Sequence, residues 1–179
     1  QWDGEVYKAR YFRSAWVKGT PPIIYAGATG PKMMDMATHF ADGTMLSDMI
    51  LPMLPRTMGY VREGLAKYGR DPATFRVNNF CAFHVKDDRE ASFAEARREL
   101  MLRGWLGEQY FAPFLDPDEV KLMRAHEQDF LNASLRGTDV IENVPDALVT
   151  KMIRNISFAG GLDQIEPAIE TLKAFAAAG

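Results

Sequence analysis

Apolar residues gather in short runs that alternate with stretches of helical spacing, and the alternation repeats through the first half of the chain. Ile23-Ile24-Tyr25-Ala26-Gly27 is a compact apolar run, introduced by Pro21-Pro22 and closed by Thr29-Gly30-Pro31, as expected of a buried parallel strand. Pro31 suits a first helical turn, and Met33, Met36, Ala37, Phe40 and Ala41 recur at helical spacing until Asp42-Gly43 ends the helix. Thr44-Met45-Leu46-Ser47 is a second short strand. A second helix begins near Pro55, with Leu54, Met58, Val61 and Leu65 as its apolar stripe up to Gly69. Arg70-Asp71-Pro72 makes a turn, and Phe75 to Val85 reads as one third strand, rich in aromatic and β-branched residues. Asp87 with Glu90 forms a capping box for the helix that follows.

Beyond Trp105 the pattern changes to helices without strands. Asp116-Pro117-Asp118-Glu119 and Asn143-Val144-Pro145-Asp146 are helix starts. A last helix is expected from Asp163, boxed by Glu166, with Ile165, Ile169, Leu172 and Phe175 as its buried stripe. Three strand-then-helix units imply a parallel sheet covered by helices, either doubly wound or closed into a barrel, and periodicity leaves that choice open. A terminal helix with a glycine cap should lead into another strand, so the chain is expected to be cut at both ends. It is read as a single domain over 1–179 with a helical insert at about 106–155.

Composition changes this picture little. An apolar content of 47% with 25% charged residues excludes disorder and collagen-like structure. A net charge of −3 without basic clusters gives a phosphate backbone nothing to grip, so no nucleic-acid partner is expected. Apolar runs too short for a membrane span, a start without leader character and a single cysteine, Cys81, point to a cytoplasmic protein. Cys81 is expected to be buried and inert. His39, His84 and His126 lack metal-ligand spacing, and no carboxylate cluster stands at the usual intervals, so no metal is expected. Seven of the ten methionines lie between Met33 and Met58, and most are read as core filler on two helices.

The string Gly27-Ala28-Thr29-Gly30-Pro31-Lys32-Met33, followed after one helix by Ala41-Asp42-Gly43, resembles the fifth strand and helix of the luciferase-like monooxygenase family. Asp87-Asp88-Arg89-Glu90-Ala91, and Asp146-Ala147-Leu148-Val149 leading to Phe158-Ala159-Gly160, follow in the family's order. The resemblance is nearest the branch containing methylenetetrahydromethanopterin reductase. It implies an α/β fold, a (β/α)8 TIM barrel of which this chain carries roughly the C-terminal half: strands five to seven plus the helical insert. It implies hydride transfer between an organic substrate and the deazaflavin coenzyme F-420, and a homodimer. The alternatives are an FMN-dependent monooxygenase on the same barrel and a non-catalytic half-barrel or dimerising module. The catalytic acid and base are expected outside this segment.

The turn Gly27-Ala28-Thr29-Gly30 lies where a strand passes into a helix, so small residues admit a ligand to backbone N–H groups at the helix start. With Lys32 these residues are the expected cofactor contacts. The competing reading is that the glycines only shape a tight turn and Lys32 is solvated. Ser47 and Asp48 after the second strand, and His84 near the end of the third, are the expected substrate contacts at the C-terminal face of a barrel.

Overall fold

The structure, a computed structural model, describes residues 2–9, 18–104 and 108–178. A short antiparallel hairpin pairs β1 (Trp2–Asp3) with β2 (Lys8–Ala9), closed by the Gly4 N–H donating to the Tyr7 carbonyl at 3.1 Å. The strand-helix succession begins with β3 (Tyr25–Gly27), α1 (Pro31–Phe40), β4 (Gly43–Ser47) and α2 (Leu54–Lys67). It continues with β5 (Arg76–Phe80), β6 (Ala82–Val85) and α3 (Arg89–Gly104). Helices α4 (Pro117–Ala125), α5 (Glu127–Arg136) and α6 (Asp146–Ile156) precede β7 (Ser157–Gly160) and α7 (Ile165–Ala178). Trp105, where the helical insert was expected to open, lies outside the described residues.

Strands β3, β4 and β5 are parallel neighbours in that order, and β6 pairs parallel with β7. Sequential parallel strands backed by helices make this part of an α/β barrel, as expected. Two details of the sheet differ from expectation. The segment from Phe75 to Val85 is not one strand but two, divided at Cys81, with β5 held by β4 and β6 by β7. The region after Trp105 is not free of strands either: Ser157–Gly160 follows α6 directly and supplies a fourth step of the arc. Four residues ending in Ala-Gly carry too little alternation to announce themselves after a strongly helical run.

The helix faces also differ from expectation. In α1 the buried residues are Met34, Ala37 and Thr38, whereas Met33, Met36 and Phe40 of the expected stripe are exposed. Thr38 enters the core because its hydroxyl donates to the Met34 carbonyl at 2.9 Å, which satisfies it locally. The cap of α3 is Asp88 rather than Asp87, since the N–H groups of Glu90 and Ala91 donate to its Oδ1 at 2.9 and 3.2 Å. Asp163 lies in a 3-10 turn before α7 and pairs with Arg89. Of the expected α7 stripe, Ile165, Ile169 and Leu172 are exposed, while Phe175 packs against the α1–α2 core.

Two apolar cores hold the chain. One fills the space between β3–β5 and helices α1 and α2, with Met34, Leu46, Leu54, Val61 and Leu65 buried. The other unites α3 to α6 with β7 around Phe111, Met123, Phe130, Met152 and Ile153. Along β4, Thr44 and Leu46 point into the helical layer; Met45 points the other way and is 42% exposed. Phe80 and Phe83 continue that second face at 59% and 54% exposure, and the Phe83 ring meets Phe158 at 5.8 Å between centroids. This is the face that would line a closed barrel, and it is open here.

Candidate functional site

Strand register decides which predicted residues can meet. Gly27 is level with Met45, and Met45 with Asn78, while the Ala28 N–H donates to the Met45 carbonyl at 3.3 Å. The turn after β3 therefore stands beside the end of β4, bringing Gly27, Ala28, Thr29, Gly30 and Lys32 to the same rim as Ser47 and Asp48. Ala28 is buried; Thr29 and Lys32 are exposed. A Cβ built on Gly27 or on Gly30 would touch nothing within 4 Å, and Gly30 has an ordinary extended φ of −97°. Neither packing nor backbone torsion requires glycine at Gly30, and packing does not require it at Gly27. Gly30 caps α1 without a side-chain bond and Pro31 occupies the first turn, so the following N–H groups face the rim uncapped.

The end of β4 is tightly defined. Asp48 is 3% exposed and has φ +52°, an uncommon left-handed conformation for a residue with a Cβ. Its N–H donates to the Phe80 carbonyl at 2.8 Å, and its Oδ2 accepts from the Ser47 hydroxyl at 3.0 Å. Asn79 fixes the next residue twice: its Oδ1 accepts from the Met49 N–H at 3.2 Å, and its Nδ2 donates to the Met49 carbonyl at 3.1 Å. Asn79 was not among the expected site residues. An amide inside an otherwise apolar strand is the signal that marks such a clamp, because a half-buried amide must find backbone partners.

His84 does not join this rim. Its ring is buried against α3, with Nδ1 3.1 Å from Glu95 Oε1 and Nε2 3.5 Å from Glu99 Oε2. Lys86 pairs with the other oxygen of Glu95. The expectation that no carboxylates gather at a histidine is thus corrected: Glu95 and Glu99 are one helical turn apart, and the three residues present ligand atoms within 4.8 Å of one another. In the structure these atoms are engaged with each other and with Lys86, a network that ties β6 to α3. The Lys86 ammonium, and after it the His84 ring, hold the Glu95 carboxyl below the ordinary carboxylate range. A depressed folded-state pKa gives stability that is present above the unfolded value and lost as pH falls through the folded one. Glu95→Gln should therefore lower stability near neutral pH and flatten its decline below about pH 4.5. Urea midpoints measured from pH 7 to pH 3 test this, and parallel curves for the two proteins would contradict it.

The Ala41-Asp42-Gly43 string sits at the opposite ends of the strands. Asp42 Oδ2 accepts from the Ile24 N–H at 2.9 Å, its own N–H donates to the Ile24 carbonyl at 2.8 Å, and its carbonyl accepts from Arg76 N–H at 3.1 Å. One residue thus laces the starts of β3, β4 and β5. Of the motif pair read from the sequence, the first half builds the rim and the second builds the sheet.

Comparison with known proteins bears on the whole chain. The model of the family described as luciferase-like monooxygenase matches residues 1–179. The chain belongs to the luciferase-like monooxygenase family. Two relatives are 5,10-methylenetetrahydromethanopterin reductases: that of Methanolobus tindarius is 28% identical over 100 residues, and that of Archaeoglobus fulgidus 29% over 97. Those stretches are 56% and 54% of this chain but only 30% and 29% of the relatives. Among solved structures, the coenzyme F-420-dependent tetrahydromethanopterin reductase from Methanopyrus kandleri superposes with a TM-score of 0.62 at 17% identity, covering 88% of this chain and 42% of that one. An F-420-dependent secondary alcohol dehydrogenase in complex with an F-420–acetone adduct gives 0.65 at 20% identity, covering 99% and 47%. The luciferase-like chain thus shares the fold of these enzymes over less than half their length. Among its described residues no helix is long and apolar enough to cross a membrane.

Proposed function

We propose that this luciferase-like chain supplies one side of the cofactor site of an oxidoreductase that moves a hydride between a small organic substrate and coenzyme F-420. The observation that carries the reading is the open turn at Gly27 and Gly30, where nothing in the chain itself calls for a missing side chain at Gly30. Glycine is an ordinary N-cap residue, and here it also leaves the backbone open to close approach of a ligand. Uncapped N–H groups at the start of α1 and the Lys32 ammonium suit the phosphorylated side chain that both F-420 and FMN carry. When bound, the deazaflavin supplies the hydride chemistry, and the protein supplies position and surroundings. In this reading Thr29 and Lys32 hold the cofactor, while Ser47 and Asp48 hold substrate on a turn kept rigid by Asn79. His84 acts only through the packing of β6 on α3. The chain forms a single domain with α4–α6 as its insert, and its open apolar face belongs inside the complete barrel of a homodimeric enzyme. The two similar solved structures named for F-420 are the reason to prefer it over FMN at the same turn.

Fluorescence titration with F-420 and with FMN tests this. F-420 should bind more tightly than FMN, Lys32→Met should weaken it about tenfold, and Thr29→Val should weaken it by about threefold to tenfold. Tighter binding of FMN, or unchanged F-420 affinity in Lys32→Met, would refute the assignment.

A further inference from the structure

A cavity of about 660 Å³ opens where β5 gives way to β6, and its wall includes Met49, directly after the Asp48 turn, and Phe158, the ring neighbour of Phe83. Its walls include Ile50, Cys81, Phe93, Phe114, Arg154 and Phe175. It sits at the break in the sheet. β5 stays with β4 while β6 pairs with β7, and the cavity lies at Cys81 between them, with Ala168, Thr171 and Phe175 of α7 on its wall. Phe175 packs against one core, while Phe93 and Phe114 pack against the other, so apolar surface of both cores borders the space. At its edge the Arg154 guanidinium lies 6.0 Å from the centre of the Phe93 ring.

Arg154 is the informative residue. It stands near the end of α6, and among the described residues it has no ion-pair or hydrogen-bond partner. Arg89, the other arginine of the wall, is already committed to Asp163 at 2.7 and 2.8 Å. A pocket with phenyl walls and one uncommitted guanidinium at its edge suits an amphiphilic anion: the apolar body packs on the rings and the acid group meets Arg154.

We propose that this cavity, which borders the rim at Met49, is a second binding site for a small monoanion with an aromatic or acyl body, held by Arg154 and the phenylalanine walls. Only Arg154 supplies charge recognition, so a neutral ligand of the same shape should enter without depending on it.

The chain's only cysteine, expected to be buried, is half-buried on the cavity wall, so Cys81 provides a local reporter. The probe anion is 8-anilinonaphthalene-1-sulfonate and the neutral counterpart is N-phenyl-1-naphthylamine. Saturating sulfonate should slow modification of Cys81 by a soluble disulfide reagent at least fivefold, whereas excess F-420 should leave that rate unchanged. Arg154→Met, an exposed substitution whose folding is checked by its thermal transition, should weaken the sulfonate about tenfold and leave the neutral probe within twofold. A rate at Cys81 that ignores the sulfonate, or equal sulfonate affinity in Arg154→Met, would overturn the proposal. So would protection of Cys81 by F-420 alone, which would make the cavity part of the cofactor site.

Discussion

Gly43→Ala should destabilise the protein by about 3 kcal/mol or more, at the upper end of what overpacking a core costs. A Cβ on Gly43 would lie 2.4 Å from the Arg76 carbonyl oxygen and 2.7 Å from the Tyr25 ring. The ring can turn aside. The carbonyl cannot, because it belongs to β5 at the point where Gly43 and Arg76 are paired. Relief requires β4 and β5 to separate, at the place where Asp42 also ties the strand starts together. Truncating the ring should therefore not rescue the variant: Gly43→Ala with Tyr25→Ala is expected to remain as unstable as Gly43→Ala alone. Urea unfolding followed by circular dichroism reads both, and a midpoint equal to that of the unsubstituted chain would contradict the account.

The second large effect is expected at the contact of α1 with α2. A Cβ on Gly64 would fall 2.1 Å from the Thr38 hydroxyl oxygen, which is fully buried and bonded to the Met34 and Asp35 carbonyls at 2.9 and 3.0 Å. Alanine favours a helix interior over glycine by about 1 kcal/mol, but the clash should outweigh this, leaving a net loss of about 2 kcal/mol. Thr38→Ala removes the hydroxyl oxygen and the methyl group at 3.0 Å, leaving only the Thr38 Cβ at 2.9 Å, which a small shift of the helices relieves. The double variant should be more stable than Gly64→Ala alone, so the two losses will not add. Strict additivity in a double-mutant cycle would show that the helices accommodate the methyl group elsewhere.

Much of this architecture was legible from apolar spacing. The strands at Tyr25–Gly27 and Gly43–Ser47 and the helices after them lie where short runs and helical stripes fall, because burial on a sheet and burial on a helix impose different periods. The face of α1 was not legible. Thr38 looks polar in the sequence, yet a hydroxyl that returns to its own helix becomes acceptable in a core, and the buried stripe rotates accordingly. His84 misled through parity. In β5 the residues turned to the helices are Val77 and Asn79, so an unbroken strand would send Cys81 and Phe83 that way and His84 toward the rim's face. The break at Cys81 shifts the alternation by one, turning His84 to α3 and Phe83 to the open face. No local pattern announces a break that depends on which neighbour each half of the strand finds.

The rim itself was largely legible, because a turn between strand and helix with two glycines and a first-turn proline says where backbone is bare. What stiffens it was not. Asn79 reaches Met49 across thirty positions of sequence, a contact set by the register of β4 and β5.

Hydrogen exchange followed by mass spectrometry, with and without coenzyme F-420, tests the central claim most directly. Protection should rise at 27–33 and at 47–49 when F-420 is present, and less with FMN at equal concentration. Protection confined to the helices away from the β3 and β4 ends, or equal for the two cofactors, would contradict it.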